Sequence, residues 1–476
     1  MRPNLLLAAL VCFTVHAAPP PAAQSTAVQP AFDRLTPDAL RADVSFLASD
    51  ELQGRLTPSP GLDLAASFIA ARFRQAGLQP PASGTYFQTA NFLRITVARD
   101  AVRLTLHDAS KSLPVPSGRL YVRALDALDL TRAPLLRLPA NGTIPNVANS
   151  IVIGDEDRWG DETLLAELTA RHPRLILLLH NTVTDRGQDE HRPNDPSFLE
   201  PADSPHIPVL RLRDSAALRL LRSSRPLALS LHLPESTREP VPLRNVAALL
   251  PGSDPALRNQ YILLTAHYDH VGATDSAIFH GANDDASGTA SVLEIAAALA
   301  ALPQPPRRSI LFITFFGEEQ DLLGSSWYAS HPLVPLRDTI ANLNLEQLGR
   351  TDERTGPRLA SFALSGPSYS NLPAILADAA APASVSLWRP PDADDYFNRS
   401  DNFSLAQHGV IAHTAAVAFE FPDYHLSSDT ADKLDYDNMA LVDRALALGL
   451  LRLANQPAPP RWSDSPAAGQ YREAGR

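Results

Sequence analysis

Cysteine is almost missing: Cys12 is the only one in 476 residues. A mature chain without it cannot lean on disulfides, and any metal site in it must use histidine, aspartate and glutamate. Long apolar runs are missing as well. No stretch beyond the N-terminus approaches the ~18 uninterrupted apolar residues of a membrane span. Basic runs of five or more residues are absent, and 41 Lys and Arg against 52 Asp and Glu leave a formal net charge of −11. That balance excludes a general affinity for nucleic acid or for anionic membranes. What is present is an ordinary globular composition, 45% hydrophobic and 20% charged, over a length that implies two or three domains.

The chain opens MRPNLLLAALVCFTVHAAPPPAAQ. Arg2, the apolar Leu5 to Val15 and the small-residue end at Ala17 read as a secretory signal peptide over 1–17, too short to span a membrane. Val11 stands before Cys12 where a lipidation signal wants a small residue, so export without a lipid anchor, to the periplasm or the medium, is the expectation. The Pro- and Ala-rich stretch 18–35 reads as a linker.

Residues 36–113 begin with helical blocks. In GLDLAASFIAARFRQAGLQP, Leu64, Phe68, Ile69, Phe73 and Ala76 recur at helical spacing, with Gly77 at the C-cap and Pro80 beyond. The texture changes over 114–235. NSIVIG, RLILLLH and HIPVLRL read as short strands between amphipathic helices near DETLLAELTAR and DSAALRLLRSS. This is an α+β accessory domain inserted into the main one, with no acid/base cluster at tight spacing. Residues 240–456 are strongly α/β: QYILLTA, RRSILFITFF, ANLNLEQLG and GVIAHTAAVAF are strands, and Ser287 to Leu302 is a helix. The expected fold is a mostly parallel central sheet flanked by helices. The last segment, 457–476, reads as a disordered tail.

Polar residues gather at the strand ends. His267 and Asp269 follow one strand, Asp284 and Asp285 lie in the next loop, Glu318 and Glu319 follow the buried strand, Glu346 closes another, and His425 follows the last. In an open parallel sheet the loops after the carboxyl ends converge on one site. Two histidines and three or more carboxylates without a thiol suit divalent metals, two of them if one carboxylate bridges. The His-x-Asp of His267 and Asp269 offers the carboxylate that orients a ligating imidazole. An adjacent Glu-Glu pair sends its side chains apart, so one can ligate while the other serves as general base.

These residues resemble metallopeptidase family twenty-eight, the co-catalytic zinc aminopeptidases, which also contains the glutamate carboxypeptidase II branch and is related in fold to glutaminyl cyclases. The resemblance runs through HYDHVG, GANDDASGTA, RSILFITFFGEEQDLLGS, NLNLEQLGR, RSDNF and DYHLSSDTADKLD, across Asn245 to Leu453. LASDELQGR and the helix from Gly61 to Leu78 are similar to the family's N-terminal portion, and the insertion resembles a protease-associated domain. The resemblance implies a zinc exopeptidase fold and two Zn2+ ions, other divalent metals being possible. Asp284 would bridge, His267 and Glu346 would complete one site, and Glu319 and His425 the other. Glu318 would be the general base, Asp269 the orienter of His267, and Tyr424 a phenol that stabilises the tetrahedral intermediate. It implies peptides with a free N-terminus as substrates, with carboxypeptidase-type cleavage, single-zinc cyclisation and a non-catalytic receptor as alternatives. Nothing in it bears on the oligomeric state.

Two departures stand out. The family has Asp where this chain has Glu346, one methylene longer; either the strand's placement compensates or the first site is altered. Asn402 in RSDNF replaces a common His, which unsettles the substrate contacts around Asp401. Asp285 is expected to cap the helix or support the site from behind. His270, His280, His331, His408 and His413 read as surface or packing histidines, Trp327 and Tyr328 as core, and Arg350 and Arg399 as members of ordinary ion pairs.

Overall fold

The computed structural model describes residues 29–475 except 82–83, 142, 161, 181–196, 202–206 and 224. The expected leader, Cys12 and most of the expected linker lie outside the described residues.

The four apolar runs of the C-terminal half form strands Tyr261–His267, Ser309–Phe315, Thr339–Leu345 and Ala412–Ala416. They pair parallel, in the spatial order 412–416, 339–345, 261–267, 309–315. Successive side chains alternate between two cores. Ile262, Leu264, Ile310 and Phe312 face helices Pro60–Gln75, Gly288–Ala300 and Tyr436–Asn455, while Leu263, Leu311, Ile313 and Phe315 face Tyr328, Leu405 and Tyr471. Burial on both faces is the reason these strands are apolar throughout rather than alternating. Beyond Ser309–Phe315 the sheet continues antiparallel through Thr237–Leu250, Phe87–Thr96 and Ser197–Pro201. The nine-stranded sheet is therefore mixed, with parallel pairing concentrated at its centre.

A second, eight-stranded sheet runs Ser112–Val115, Arg103–His107, Ala228–Leu233, Leu128–Arg137, Ile151–Asp155, Leu175–Leu179, Val209–Leu212, Leu120–Arg123. Helices Glu162–Thr169 and Ser215–Leu221 contribute Leu168 and Leu218 to the separate cores on its two faces. The expected boundary at 114 is too late. Arg103–His107 pairs with Ala228–Leu233 inside this sheet, and Phe87–Thr96 pairs with Thr237–Leu250 from Phe87↔Val246 to Thr96↔Thr237. The inserted unit thus leaves the main sheet after Thr96, touches its edge once through Ser197–Pro201, and rejoins it at Thr237. A pairing so distant in sequence leaves no local signal.

Both ends of the chain depart from expectation in the same direction. Residues 29–35, assigned to the linker, place Ala31, Phe32 and Leu35 in the main core. The segment read as a disordered tail forms helix Gly469–Ala474, with Tyr471 buried and stacked on Trp462 at 5.5 Å, and the Trp462 indole N–H donates to the Gly409 carbonyl at 3.1 Å. A few aromatic anchors order a stretch whose composition is polar.

One buried ionic group under the main sheet sets a measurable pH dependence. Arg72 meets Asp43 at 2.9 Å and also Glu294, and Asp443 accepts from Ser291 nearby. Burial, with Asp43 adding to it, pushes Glu294 from an ordinary 4.5 up to about 7. A carboxyl that holds its proton more tightly when folded makes stability fall as pH rises between those two values. Glu294→Gln keeps an acceptor for Arg72 and cannot ionise. Its melting temperature relative to wild type should climb between pH 4.5 and 7; a flat difference across that window would refute the assignment.

Candidate metal centre

Parallel strands in register end on one edge: His267 lies opposite Phe315, and Leu345 opposite Ala415. The loops leaving that edge bring His267, Asp284, Glu319, Glu346 and His425 together.

Asp284 and Asp285 part company in the turn Ala282–Ser287. Asp285 turns back to the helix, where its Oδ1 accepts from the Gly288 N–H at 2.9 Å and from the Gln347 N–H at 3.1 Å. Asp284 points the other way. Its Oδ1 lies 3.3 Å from His267 Nε2 and its Oδ2 lies 3.1 Å from His425 Nε2. Its backbone N–H and that of Asn283 donate to the Asp429 carboxylate at 3.0–3.1 Å. Sequence reasoning passed over Asp429, although it stands four residues after His425.

The other side chains close around Asp284. His425 Nε2 is 3.1 Å from Glu319 Oε2, and Glu318 Oε2 is 3.9 Å from His267 Nε2. The Glu318 N–H donates to Asp269 Oδ1 at 3.1 Å. That carboxylate stands 3.6 Å from His267 Nδ1, whose hydrogen bond goes to the Asp269 carbonyl at 3.3 Å. Tyr424 is exposed and stacks on the His425 ring at 4.0 Å.

Two groups of donor atoms result, each with its atoms within 4.8 Å of one another: His267, Asp284 and Glu346, and His270, Asp284, Glu319 and His425. His267 Nε2, Asp284 Oδ2 and His425 Nε2 are buried and make no hydrogen bond. Donors around a tetrahedral zinc at ~2.0–2.1 Å sit roughly 3.3 Å apart, close to the contacts that Asp284 makes with both imidazoles. The electrostatics point the same way. Burial pushes Glu318 well above the carboxylate range and Glu346 up to about 7. Buried acids at this density need compensating cations to stay ionised. The donor set fits divalent metal.

The structure corrects one sequence reading. His270, taken as a packing histidine, is fully buried with Nδ1 2.8 Å from Glu319 Oε1. The other histidines read as surface or packing residues stay clear of the centre: His280 meets Asp50, His331 stacks on Trp327, His408 bonds the Ser404 carbonyl, and His413 bonds Ser370 and the Ser365 carbonyl. Tyr328 is fully buried in one core, and Trp327 packs half-buried against the other. Arg350 pairs with Asp352 and Asp423, whereas Arg399 lies over the Tyr396 ring at 4.9 Å. Asn402 donates to the Phe397 carbonyl and accepts from Thr414. It packs the loop beside Asp401, which is fully buried and raised by that burial to about 7.

Known proteins match this chain. A probable zinc metalloprotease of Leptosphaeria maculans is 34% identical over 148 residues, 29% of this chain and 33% of that protein. Aminopeptidase YwaD of Bacillus subtilis is 39% identical over 94 residues, 20% of this chain and 19% of its own. The matches thus span a third or less of those relatives' lengths. Among solved structures, the aminopeptidase from Aneurinibacillus sp. strain AM-1 superposes with a TM-score of 0.58 at 18% identity, covering 92% of this chain and 98% of that one, a likeness of fold. No described helix is long and apolar enough to cross a membrane. The model of peptidase family M28 matches residues 245–449, and this segment of the chain belongs to that family.

Proposed function

We propose that the protein is an exported zinc-dependent aminopeptidase that removes N-terminal residues from peptides, with two metal sites sharing Asp284. The observation that carries the reading is the pair of donor groups meeting at that one carboxylate, with Glu318 beside them. His267 and Glu346 would complete one site, Glu319 and His425 the other; Glu346 already reaches the first group despite its extra methylene. Bound zinc would polarise the scissile carbonyl and acidify a water molecule.

The remaining chemistry belongs to the chain. Glu318, partly buried and held by its backbone to Asp269, takes a proton from the attacking water and returns it to the leaving amine. Asp269 keeps the His267 loop in place. The carboxylates of Glu318 and Glu346 receive the substrate's α-ammonium group, which selects a free N-terminus. Tyr424, exposed and stacked on His425, offers its hydroxyl to the tetrahedral oxyanion. The inserted sheet, read as a protease-associated domain, carries no part of this machinery.

Purified mature protein should carry close to two zinc ions per chain, hydrolyse a leucine aminopeptidase substrate and lose that activity to a chelator. An N-terminally blocked peptide should stay intact. Cleavage of the blocked peptide, or cyclisation of an N-terminal glutamine with one zinc per chain, would overturn the proposal.

A further inference from the structure

The two donor groups are unequal. The group of His267, Asp284 and Glu346 has three members, whereas that of Glu319, Asp284 and His425 gains His270 as a fourth. His270 is fully buried; its Nε2 makes no hydrogen bond, and its Nδ1 faces only the carboxylates of the centre. An imidazole in that state is costly unless it has a charged or metal partner. Its Nδ1 lies 2.8 Å from Glu319 Oε1 and 3.9 Å from Asp284 Oδ2, values that bracket the ~3.3 Å spacing of donors around a tetrahedral ion.

The surroundings hold the ring in this position. The His270 N–H donates to the Arg55 carbonyl at 3.3 Å, and the ring meets His425 edge-on at 5.5 Å. Gly281, with φ +58°, leaves the space behind it: a Cβ there would stand 2.4 Å from His270 Cγ. No side chain other than hydrogen could occupy position 281 without displacing the imidazole.

We propose that His270 Nδ1 is the fourth protein ligand of the site formed by Asp284, Glu319 and His425. This rests on the metal-dependent reading above. Four protein donors close a zinc site, whereas three leave a position for water or substrate. The closed site holds its ion tightly and keeps Asp284 in place. The three-donor site of His267, Asp284 and Glu346, with Glu318 at its edge, keeps the open position and exchanges its ion more readily.

The test is calorimetric titration of the metal-free full-length protein with Zn2+, with folding followed by circular dichroism. Wild type should bind two equivalents in two phases of different affinity. His270→Ala should weaken the tight phase at least tenfold and leave the weak phase in place, while Glu346→Ala should abolish the weak phase and spare the tight one. An unchanged tight phase in folded His270→Ala overturns the proposal and leaves the two-metal reading standing. Should His270→Ala fail to fold, loss of the tight phase in Glu346→Ala overturns it instead. Wild type that binds no zinc overturns both readings.

Discussion

Glu318→Gln should reduce kcat for a leucine aminopeptidase substrate by ~10²–10⁴, the range that a positioned general acid–base group contributes, with metal content per chain unchanged. The amide preserves the shape of the side chain and its backbone N–H still donates to Asp269, but it can no longer accept the proton of the attacking water. Glu318 approaches His267 only at 3.9 Å and stands outside both donor groups, so its charge is not needed to retain an ion. Because the Glu318 charge also faces the substrate's α-ammonium group, KM should rise as well, by less than kcat falls. If the variant lost its metal in proportion to its activity, Glu318 would be a ligand and the base would have to be sought elsewhere, with buried Asp401 the first candidate.

The second large effect concerns stability. Arg55, in the LQGR segment, is fully buried. Its guanidinium donates to the carbonyls of Tyr268 at 2.8 Å, His280 at 2.8 Å and Gly281 at 3.0 Å, and also to that of Leu47. These belong to the N-terminal helical segment, the His267 loop and the Asp284 loop, so one side chain joins three pieces of backbone that frame the centre. Burial lowers its pKa to about 10, with Asp269, Asp285, Asp429 and Asp284 holding it up, and it remains a cation at neutral pH. Arg55→Met strands several buried carbonyls, at about 1–3 kcal/mol each, and removes a charge from beside buried carboxylates. With partial relaxation of those carbonyls toward water, the net loss is ~3–5 kcal/mol, that of removing one partner of a buried ionic arrangement, a large part of the ~5–15 kcal/mol that holds a typical domain folded. The melting temperature should fall by on the order of 10 °C, and Arg55→Lys should recover little, because an ammonium lacks the planar fork that reaches diverging acceptors. A melting temperature within a degree of wild type would show that the loops hold themselves.

Much of this protein was legible in its sequence because the relevant signals are local. Apolar runs such as SILFITF mark strands buried on both faces, and a parallel sheet puts the residues after each strand end at one edge. His267, Asp284, Glu318, Glu319 and Glu346 could therefore be singled out from periodicity and strand-end position. His425 follows by the same rule. The adjacent aspartates were legible as a question, since a helix start uses one carboxylate and leaves the other to be accounted for.

Tertiary structure decided whatever depends on direction or on distant partners. Three positions separate His270 from His267, and nothing in HYDHVG tells which way its ring points; the space opposite Gly281 turns it inward. Nothing in the sequence around Arg55 marks it as buried; four carbonyls from three pieces of backbone surround it only in the fold. The edge of the inserted unit lies at Thr96 because Arg103–His107 finds its partner at Ala228–Leu233, and composition carries no trace of such a pairing. The C-terminal segment is ordered by Trp462 and Tyr471 meeting Phe397, a contact whose gain comes from a surface the rest of the chain must first build. Local pattern sets which residues are available for the site; long-range packing sets which of them face it.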